Sequence, residues 1–485
     1  MDSAASDNAY YENLEDDREV GTGKPKVQET SGRASSSTTF VWKILGFSVI
    51  LTTLVCCMLY LFVFTRSTGK VLHISDLHYD PLYKSNALNH RGCACNMVEK
   101  QNCTASDTVL YGRVGCDAPL KLIESAFESA KSVIANPDFI VFTGDAIRHH
   151  SSVIKGALPD KLISLFRTIS NLLTSYFGST VVVAQAFGND DFQKNYFFNT
   201  SKKCDQPLLR DVLPVFQRGM PNLAKVDTNM FTCGGFYSVS VSSKLTVIVL
   251  NTVLYSVRHN PKMSNAGQVE DPMGQFAWFD ETLGKLQQDN IFVWIVGHIA
   301  PGYESYAMEP MWPNVYTRKY VSIVTKYARI VKAQFFGHEH LNTYRLFESG
   351  TNVPSPIIIS GSISPIFCNA PSYRVIEYDK STYDILDFVS YGSDVGEDNW
   401  SLRYRFSSEF DIYNGLSNTE MRKVTDRMRN DEALLKKYRM RKGDNDKMPY
   451  PQCGTKNDPA DKNSELCAIE HLEQDAFEEC VSNRI

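Results

Sequence analysis

Five short motifs in this sequence place carboxylate, amide or imidazole side chains directly after an apolar run. The first motif, Asp76-Leu-His78, follows Val71-Leu-His-Ile. On a continuing strand, residues two apart point to the same face, so this carboxylate and this imidazole can reach one ion. Zinc, iron and manganese accept such mixed oxygen and nitrogen ligands. The other motifs are Thr143-Gly-Asp145, Gly188-Asn189, Gly297-His298 and Gly337-His-Glu-His340.

Short apolar runs before the motifs predict the strands that must position them. These runs cover residues 71 to 75, 139 to 142, 181 to 184, 291 to 296 and 333 to 336. Helical spacing of apolar residues in 117 to 135 and 160 to 177 predicts crossover helices. Because α/β folds carry their chemistry at the carboxyl ends of strands, we expect the motifs to converge on one edge of a packed sheet. Further strands are predicted at 245 to 250 and within 357 to 388.

In this order, the motifs D-x-H, GD, GN, GH and GHxH resemble those of the calcineurin-like metallophosphoesterase family, over roughly residues 70 to 390. Within that family, the sequence is more similar to the acid-sphingomyelinase-like branch, and most similar to the endopolyphosphatases of fungal vacuoles. That last similarity rests on His73-Ile-Ser-Asp-Leu-His, Gly115-Cys-Asp-Ala-Pro, Thr143-Gly-Asp-Ala-Ile-Arg-His and Gly188-Asn-Asp-Asp. The resemblance implies an α/β fold, a four-layer αββα sandwich, for this catalytic domain.

The resemblance also implies a complete set of ligands for two divalent metal ions, whether Zn, Mn, Fe, Co or Mg. The first ion would be bound by Asp76, His78 and His340. The second ion would be bound by Asn189, His298 and His338, with Asp145 bridging the two ions. A pair of such ions can hold a metal-bridging hydroxide and clamp the phosphoryl oxygens of an in-line displacement.

One position departs from the family pattern. Many members have a histidine directly after the asparagine, where it contacts the scissile phosphate, whereas Asp190 stands here. His149 matches a histidine that the sphingomyelinase-like branch places near the substrate. It is our candidate acid or phosphate contact, with a surface-loop histidine as the alternative. Arg148 is a candidate for holding phosphate oxygens bidentately, with a structural salt bridge as the alternative.

The N-terminal part of the chain differs in composition from the rest. Residues 1 to 39 are polar, which predicts a disordered cytosolic tail. Residues 40 to 64 form a nearly uninterrupted apolar run, which is long enough to span a bilayer as a helix. We therefore expect a single transmembrane helix, an uncleaved signal anchor, with a buried soluble helix as the alternative.

Cysteines and glycosylation sequons after this run indicate an oxidising lumen. Ten of the twelve cysteines follow residue 64, an even number suited to disulfide bonds. Sequons for N-glycans lie at Asn102, Asn199 and Asn399. We therefore expect a single-pass type II protein with residues 1 to 39 in the cytosol and a lumenal catalytic domain. The resemblance to the enzymes of fungal vacuoles implies that its membrane is the vacuole membrane. The alternative for three of these cysteines is that they bind a metal ion as thiolates instead of forming disulfide bonds. They are Cys93, Cys95 and Cys103.

Residues 391 to 485 are predicted to form a C-terminal extension that contains cysteines and a basic segment. Within 421 to 442, nine Lys and Arg residues stand against three acidic ones, a local net charge of 9 − 3 = +6. Such a charge can attract a linear polyanion, and a solvated helix face is the alternative. The net charge of the whole chain is −5, so no nucleic-acid partner is expected.

The resemblance to the endopolyphosphatases implies a dinuclear-metal hydrolase that cleaves internal phosphoanhydride bonds of inorganic polyphosphate. An acid-sphingomyelinase-like phosphodiesterase acting on phospholipid or nucleotide is the alternative in the same chemistry. A non-catalytic lumenal binding domain is a further alternative. The complete set of predicted metal ligands favours an enzyme over that binding domain.

Overall fold

The structure, a computed structural model, describes residues 52–53, 67–83, 109–201, 204–218, 228–260, 271–444 and 462–483. The predicted tail, residues 1 to 39, lies outside these residues. The predicted span, residues 40 to 64, also lies outside them apart from Thr52 and Thr53. Among the described residues, no helix combines the length and the apolar character that crossing a bilayer requires.

Two six-stranded sheets form the centre of the unit Arg66–Ile485. The first sheet contains β1 (Thr68–Ile74), β2 (Ile140–Phe142), β3 (Val183–Gln185), β10 (Ser372–Asp379), β11 (Ile385–Gly392) and β12 (Ser401–Arg405). The second contains β4 (Tyr237–Ser240), β5 (Leu245–Val249), β6 (Phe292–Val296), β7 (Val331–Phe336), β8 (Thr343–Arg345) and β9 (Ile357–Ile359). Their strand orders are β12-β11-β10-β1-β2-β3 and β4-β5-β6-β7-β9-β8. Both sheets are mixed, because parallel pairs such as β1 with β2 and β6 with β7 adjoin antiparallel ones.

The two sheets pack face to face through large aromatic side chains. The Trp294 ring on β6 lies 5.1 Å from the Phe139 ring and 5.2 Å from the Tyr378 ring on β10, centroid to centroid. All three side chains are buried. Burying each such side chain stabilises the fold by about 1.5 to 3 kcal/mol. The core between the sheets therefore fixes the position of the strand ends that carry the motifs.

Helices lie outside the sheets. The described helices are α1 (Leu120–Val133), α2 (Leu158–Phe177), α3 (Pro207–Arg218), α4 (Thr228–Gly234), α5 (Gln275–Gln288), α6 (Asn314–Lys326), α7 (Phe406–Phe410), α8 (Asn418–Asn430), α9 (Glu432–Lys442), α10 (Lys462–Glu470) and α11 (Gln474–Ser482). Helix α1 packs against β10 of the first sheet, and α5 packs against β6 of the second. The predicted α/β fold with strands in two sheets is confirmed, and the helices complete the outer layers.

The first sheet and the disulfide bonds bear on two predictions from the sequence. Strand β12 continues the first sheet past residue 390, so the predicted boundary between 390 and 391 falls within one compact unit. The predicted disulfide bonds are confirmed among the described residues, where Cys204 pairs with Cys233 and Cys467 with Cys480. Cys116 and Cys368 are also disulfide-bonded. The candidate thiolate ligands Cys93, Cys95 and Cys103 lie outside the described residues.

The basic segment lies in helices α8 and α9, and several of its cations pair with acidic side chains from other parts of the chain. Side chains cap both helix starts, because Ser417 accepts from the Glu420 N–H and Asp431 accepts from the Leu434 N–H. The ion pairs of the segment are Arg429 with Glu470, Arg439 and Lys442 with Glu465, and Arg441 with Glu409. Four of the nine cations therefore form these ion pairs and do not contribute to a free charge of +6. Lys423, Arg427, Lys436 and Lys437 are exposed, so the solvated-face alternative describes that part of the segment.

Candidate metal centre

The five motifs meet at one edge of the two packed sheets. Asp76 and His78 follow β1, Asp145 follows β2 and Asn189 follows β3, and these three strands are parallel neighbours. On the second sheet, the histidine motifs follow β6 and β7, which are also parallel neighbours. Because parallel neighbours end at the same edge, the side chains that follow them converge. The seven predicted ligands are all brought together.

One cluster contains the four side chains predicted to surround the first ion. The Nε2 atoms of His78 and His340 lie 3.1 Å apart. His340 Nε2 is 3.4 Å from Asp76 Oδ1, and His78 Nε2 is 3.5 Å from Asp145 Oδ2. All four side chains are buried. The atoms that face one another are carboxylate oxygens and imidazole nitrogens, which are metal donors.

The second cluster shares Asp145 with the first. His298 Nε2 lies 3.1 Å from Asp145 Oδ2 and 3.0 Å from Asn189 Oδ1. His338 offers a ring nitrogen within 4.8 Å of donor atoms on Asp145 and His298. The position of Asp145 between the clusters is the one that a bridging ligand requires.

Backbone strain accompanies this arrangement. Five of the predicted ligands have φ values of +43° to +72°, the left-handed region that side chains other than glycine rarely adopt. They are Asp76, His78, Asp145, His338 and His340. Such conformations persist only where the surrounding structure holds them, and they are concentrated at functional sites.

The motif glycines allow the strand ends to approach one another. A Cβ atom at Gly188 would lie 2.1 Å from Asp145 Oδ1, and one at Gly337 would lie 2.7 Å from Asp76 Oδ2. Among the motif glycines only Gly144 has a positive φ, of +96°. Gly188 and Gly337 are therefore needed because neighbouring strand ends approach them closely, and not because of a left-handed backbone.

The electrostatics of the clusters call for added positive charge. Burial lowers the pKa of His78, but the Asp145 and Asp76 carboxylates outweigh this effect and raise it to about 10. The same opposition between burial and Asp145 raises the pKa of His298 to about 9. Asp76 Oδ1 is buried without a hydrogen-bond partner. Two divalent cations would supply the missing charge, and the oxygen and nitrogen donors fit them.

His149 lies at the border of the first cluster and is buried, so the surface-loop alternative is excluded. Its Nδ1 is 2.8 Å from Asp117 Oδ1, and its backbone N–H donates to Asp117 Oδ2 at 3.0 Å. Its ring stacks on that of His78, with centroids 4.0 Å apart. Burial and His78 lower the pKa of His149, but Asp117 and Asp190 outweigh them and raise it. Asp117 therefore fixes the His149 imidazole beside the metal centre and favours its protonated form.

The other two candidate residues are also buried near this point. Asp190 donates its backbone N–H to Asp145 Oδ1 at 2.8 Å, and its Oδ2 is 3.6 Å from His149 Nε2. Burial raises the pKa of Asp190, His149 opposes the rise and Asp145 adds to it, with a result of about 7. Arg148 pairs with Asp80 at 2.6 Å. The salt bridge that the sequence left as the alternative for Arg148 is therefore present.

Sequence reasoning missed the residues that support the ligands. Asp191 accepts hydrogen bonds from the backbone N–H groups of Asp145, Ile147 and Gly188, which fixes the loop after β2. The Tyr196 hydroxyl lies 3.3 Å from His338 Nε2. Asp117 orients His149. Asp117 and Asp191 had a sequence signal, because they lie in the Gly115-Cys-Asp-Ala-Pro and Gly188-Asn-Asp-Asp segments that carry the resemblance.

Comparisons with known proteins agree with this geometry. The profile of the family described as calcineurin-like phosphoesterase matches residues 69–342. The chain is 28% identical over 438 residues to acid sphingomyelinase-like phosphodiesterase 3b of Homo sapiens, covering 85% of this chain and 90% of that protein. It is 28% identical over 400 residues to sphingomyelinase phosphodiesterase D of Dictyostelium discoideum, covering 76% and 87%. Cyclic GMP-AMP phosphodiesterase of Bos taurus is 28% identical over 371 residues, covering 71% and 77%.

Proposed function

Because this chain belongs to the calcineurin-like phosphoesterase family, we propose that it is a phosphodiesterase that hydrolyses an ester of a nucleotide or a phospholipid. In coarser terms, it is a dinuclear metallophosphoesterase-type hydrolase with two divalent metal ions. The observation that carries the proposal is the Asp117–His149 pair beside the metal centre. The phosphodiesterase names of the relatives support the same conclusion.

The roles of the side chains follow from their positions. When bound, the two divalent ions supply an activated water and neutralise charge that develops on the phosphoryl oxygens. Asp145 provides the negative oxygen that holds two cations together. His149 donates a proton to the leaving oxygen, and Asp117 fixes the orientation of its ring through Nδ1. No covalent phosphoenzyme is needed.

The acid favours a diester over an anhydride. An alkoxide leaving group is a strong base and needs a proton in the transition state, whereas a departing phosphate is a stable anion. General acid catalysis contributes about 10²- to 10⁴-fold when the leaving group needs it. A histidine held by a buried carboxylate is therefore most useful for a phosphodiester.

Polyphosphate hydrolysis remains the second candidate, and Asp190 is the observation that favours it. Many family members have a histidine at the position of this residue. Asp190 belongs to Gly188-Asn-Asp-Asp, one of the segments that resemble the endopolyphosphatases. An aspartate there adds negative charge near the scissile phosphate instead of an imidazole. An enzyme with this change depends less on protonating the leaving group, which suits an anhydride.

One assay separates these candidates. The purified full chain, stripped of metal and reloaded with Zn²⁺, Mn²⁺, Co²⁺ or Mg²⁺, is incubated with sphingomyelin, a cyclic dinucleotide, a nitrophenyl phosphodiester and long-chain polyphosphate. The proposal expects metal-dependent release from the diesters. Shortening of polyphosphate to internal fragments without diester cleavage would establish the second candidate. No activity on any of the four would revive the non-catalytic binding domain.

We also propose a type II membrane protein of a vacuole-like lumen. The apolar run at 40 to 64, the disulfide bonds and the sequons support this orientation. Asn399 is exposed, as glycosylation requires. Protease treatment of sealed vesicles is expected to remove only about 40 N-terminal residues, because a bilayer shields the chain on its lumenal side. Digestion of the catalytic domain in intact vesicles would reverse the orientation.

A further inference from the structure

The loop after β7 holds two predicted metal ligands in a strained backbone. His338 and His340 have φ values of +72° and +58°. Glu339 stands between them, and its side chain points away into the protein, where it is buried. Because left-handed residues keep their conformation only when neighbours hold them, the contacts of Glu339 decide how well the loop is fixed.

Two groups hold the Glu339 carboxylate. The fully buried Arg345 donates to Oε1 and also donates to the Tyr303 carbonyl at 2.7 Å. The backbone N–H of Ser305 donates to Oε2 at 2.8 Å. The carboxylate therefore depends on the placement of the 303–305 segment, which belongs to a different loop from its own.

Lys442 connects that segment to the C-terminal helices, α8 to α11. It is the last residue of α9. Its Nζ donates to the Ser305 carbonyl at 3.0 Å and to Glu465 Oε1 at 2.7 Å. The residue is only 6% exposed, which is unusual for a lysine. Its own carbonyl accepts the N–H of Asn342, two residues beyond His340, at 2.7 Å. Lys442 therefore contacts the ligand loop through two separate routes.

We propose that Lys442 is a positioning residue of the metal centre, which acts through Ser305 and Glu339 to hold His338 and His340 in their left-handed conformations. This assigns a role in metal binding to the C-terminal helices. The proposal rests on the two-metal site and not on the identity of the substrate. Residues behind metal ligands commonly change metal affinity 10- to 100-fold when they are replaced.

Arg439 provides a matched control on the same helix. Its Nε lies 2.8 Å from the other oxygen of Glu465, and its side chain is 29% exposed. Arg439→Met thus removes an ion pair with the same carboxylate as Lys442→Met does. Only Lys442→Met also removes the contact with Ser305. A difference between the two variants reports that contact.

The test uses the full chain with its metal removed by chelation. Co²⁺ is titrated into wild type and both variants while its visible absorption is followed, and thermal unfolding of the metal-free proteins is recorded. Both variants are expected to unfold at lower temperature. Only Lys442→Met is expected to bind Co²⁺ about 10-fold more weakly. Its kcat should fall by a similar factor, with KM changed less than about twofold.

The double variant Lys442→Met/Glu465→Gln separates positioning from stability. It removes both charges of the Lys442–Glu465 pair, so the cost of burying Glu465 with Arg439 as its remaining cation disappears. The unfolding temperature should therefore recover in part, since the partly exposed Arg439 can be solvated instead. Co²⁺ affinity should stay low, because the Ser305 contact is still missing. Wild-type affinity in Lys442→Met, or recovery of affinity together with stability in the double variant, would overturn the proposal. Since Co²⁺ binding is read without substrate, the result stands even if no diester is cleaved.

Discussion

The metal centre and the C-terminal helices both bury charged side chains, but they neutralise that charge in opposite ways. In the C-terminal helices each buried carboxylate meets a cation of the chain itself, as Glu465 meets Lys442 and Arg439. At the metal centre, Asp76 and Asp145 face imidazoles that must gain protons to act as cations. Buried carboxylates that pair with cations of the chain therefore stabilise the fold, whereas buried carboxylates without such cations indicate a metal-binding site.

Replacing the predicted bridging carboxylate, Asp145, tests whether the charge at the metal centre is there to bind ions. Asp145→Asn should lower activity by more than about 100-fold, since residues that only support ligands already cost 10- to 100-fold. Metal analysis should show fewer than two ions per chain. Asp160→Asn, the same change at an exposed position, is the control. Wild-type turnover with two bound ions in Asp145→Asn would remove this residue from the site.

Asp117→Asn tests the acid. It should lower hydrolysis of diesters with alcohol leaving groups by about 10- to 100-fold, because His149 loses its orientation and part of its proton affinity. A nitrophenyl diester has a better leaving group and should be affected less. Steady-state kinetics on the two substrates measures the difference, and an equal loss on both would argue against an acid at His149.

Glu304 is an intermediate case, a buried carboxylate with one half-exposed cation, Arg258, at 2.9 Å. Burial raises its pKa to about 7, although Arg258 opposes the rise. Between pH 4.5 and 7, Glu304 loses its proton in the unfolded chain but keeps it in the folded protein. The free energy of unfolding of wild type therefore falls as the pH rises through this range. The free energy of unfolding of Glu304→Gln, relative to that of wild type, should therefore rise by about 1 to 3 kcal/mol between pH 4.5 and pH 8. Denaturant unfolding at both pH values measures this gain, and a constant difference would contradict the shift.

Arg441→Met tests the structural side of the comparison. Its pair with Glu409 is mostly buried, so the variant should lose about 1 to 2 kcal/mol of unfolding free energy. The KM for polyphosphate and its dependence on salt should stay unchanged, because this charge is already neutralised. A raised KM for long polyphosphate alone would restore the basic segment as a guide for substrate.

The sequence predicted what is local and missed what packing decides. The seven metal ligands come shortly after the ends of five strands, so apolar runs and short motifs located all of these side chains. Support contacts join distant residues, as Asp117 with His149 across 32 positions and Lys442 with Ser305 across 137. No periodicity records such pairs. The sequence likewise suggested that the basic segment carries free charge. Its partner Glu465 lies on a different helix, so the pairing could not be predicted from the segment itself.

The distribution of the ligands between the sheets has a mechanical consequence. Asp76, His78, Asp145 and Asn189 follow strands of the first sheet, and His298, His338 and His340 follow strands of the second. Each ion would therefore join both sheets, acting as a cross-link between chain segments as far apart as Asp76 and His340, which are 264 positions apart. Closing so long a loop is entropically costly, so ions that bind only the closed form oppose separation of the two halves. We therefore expect metal binding to increase resistance to proteolysis as well as to support turnover.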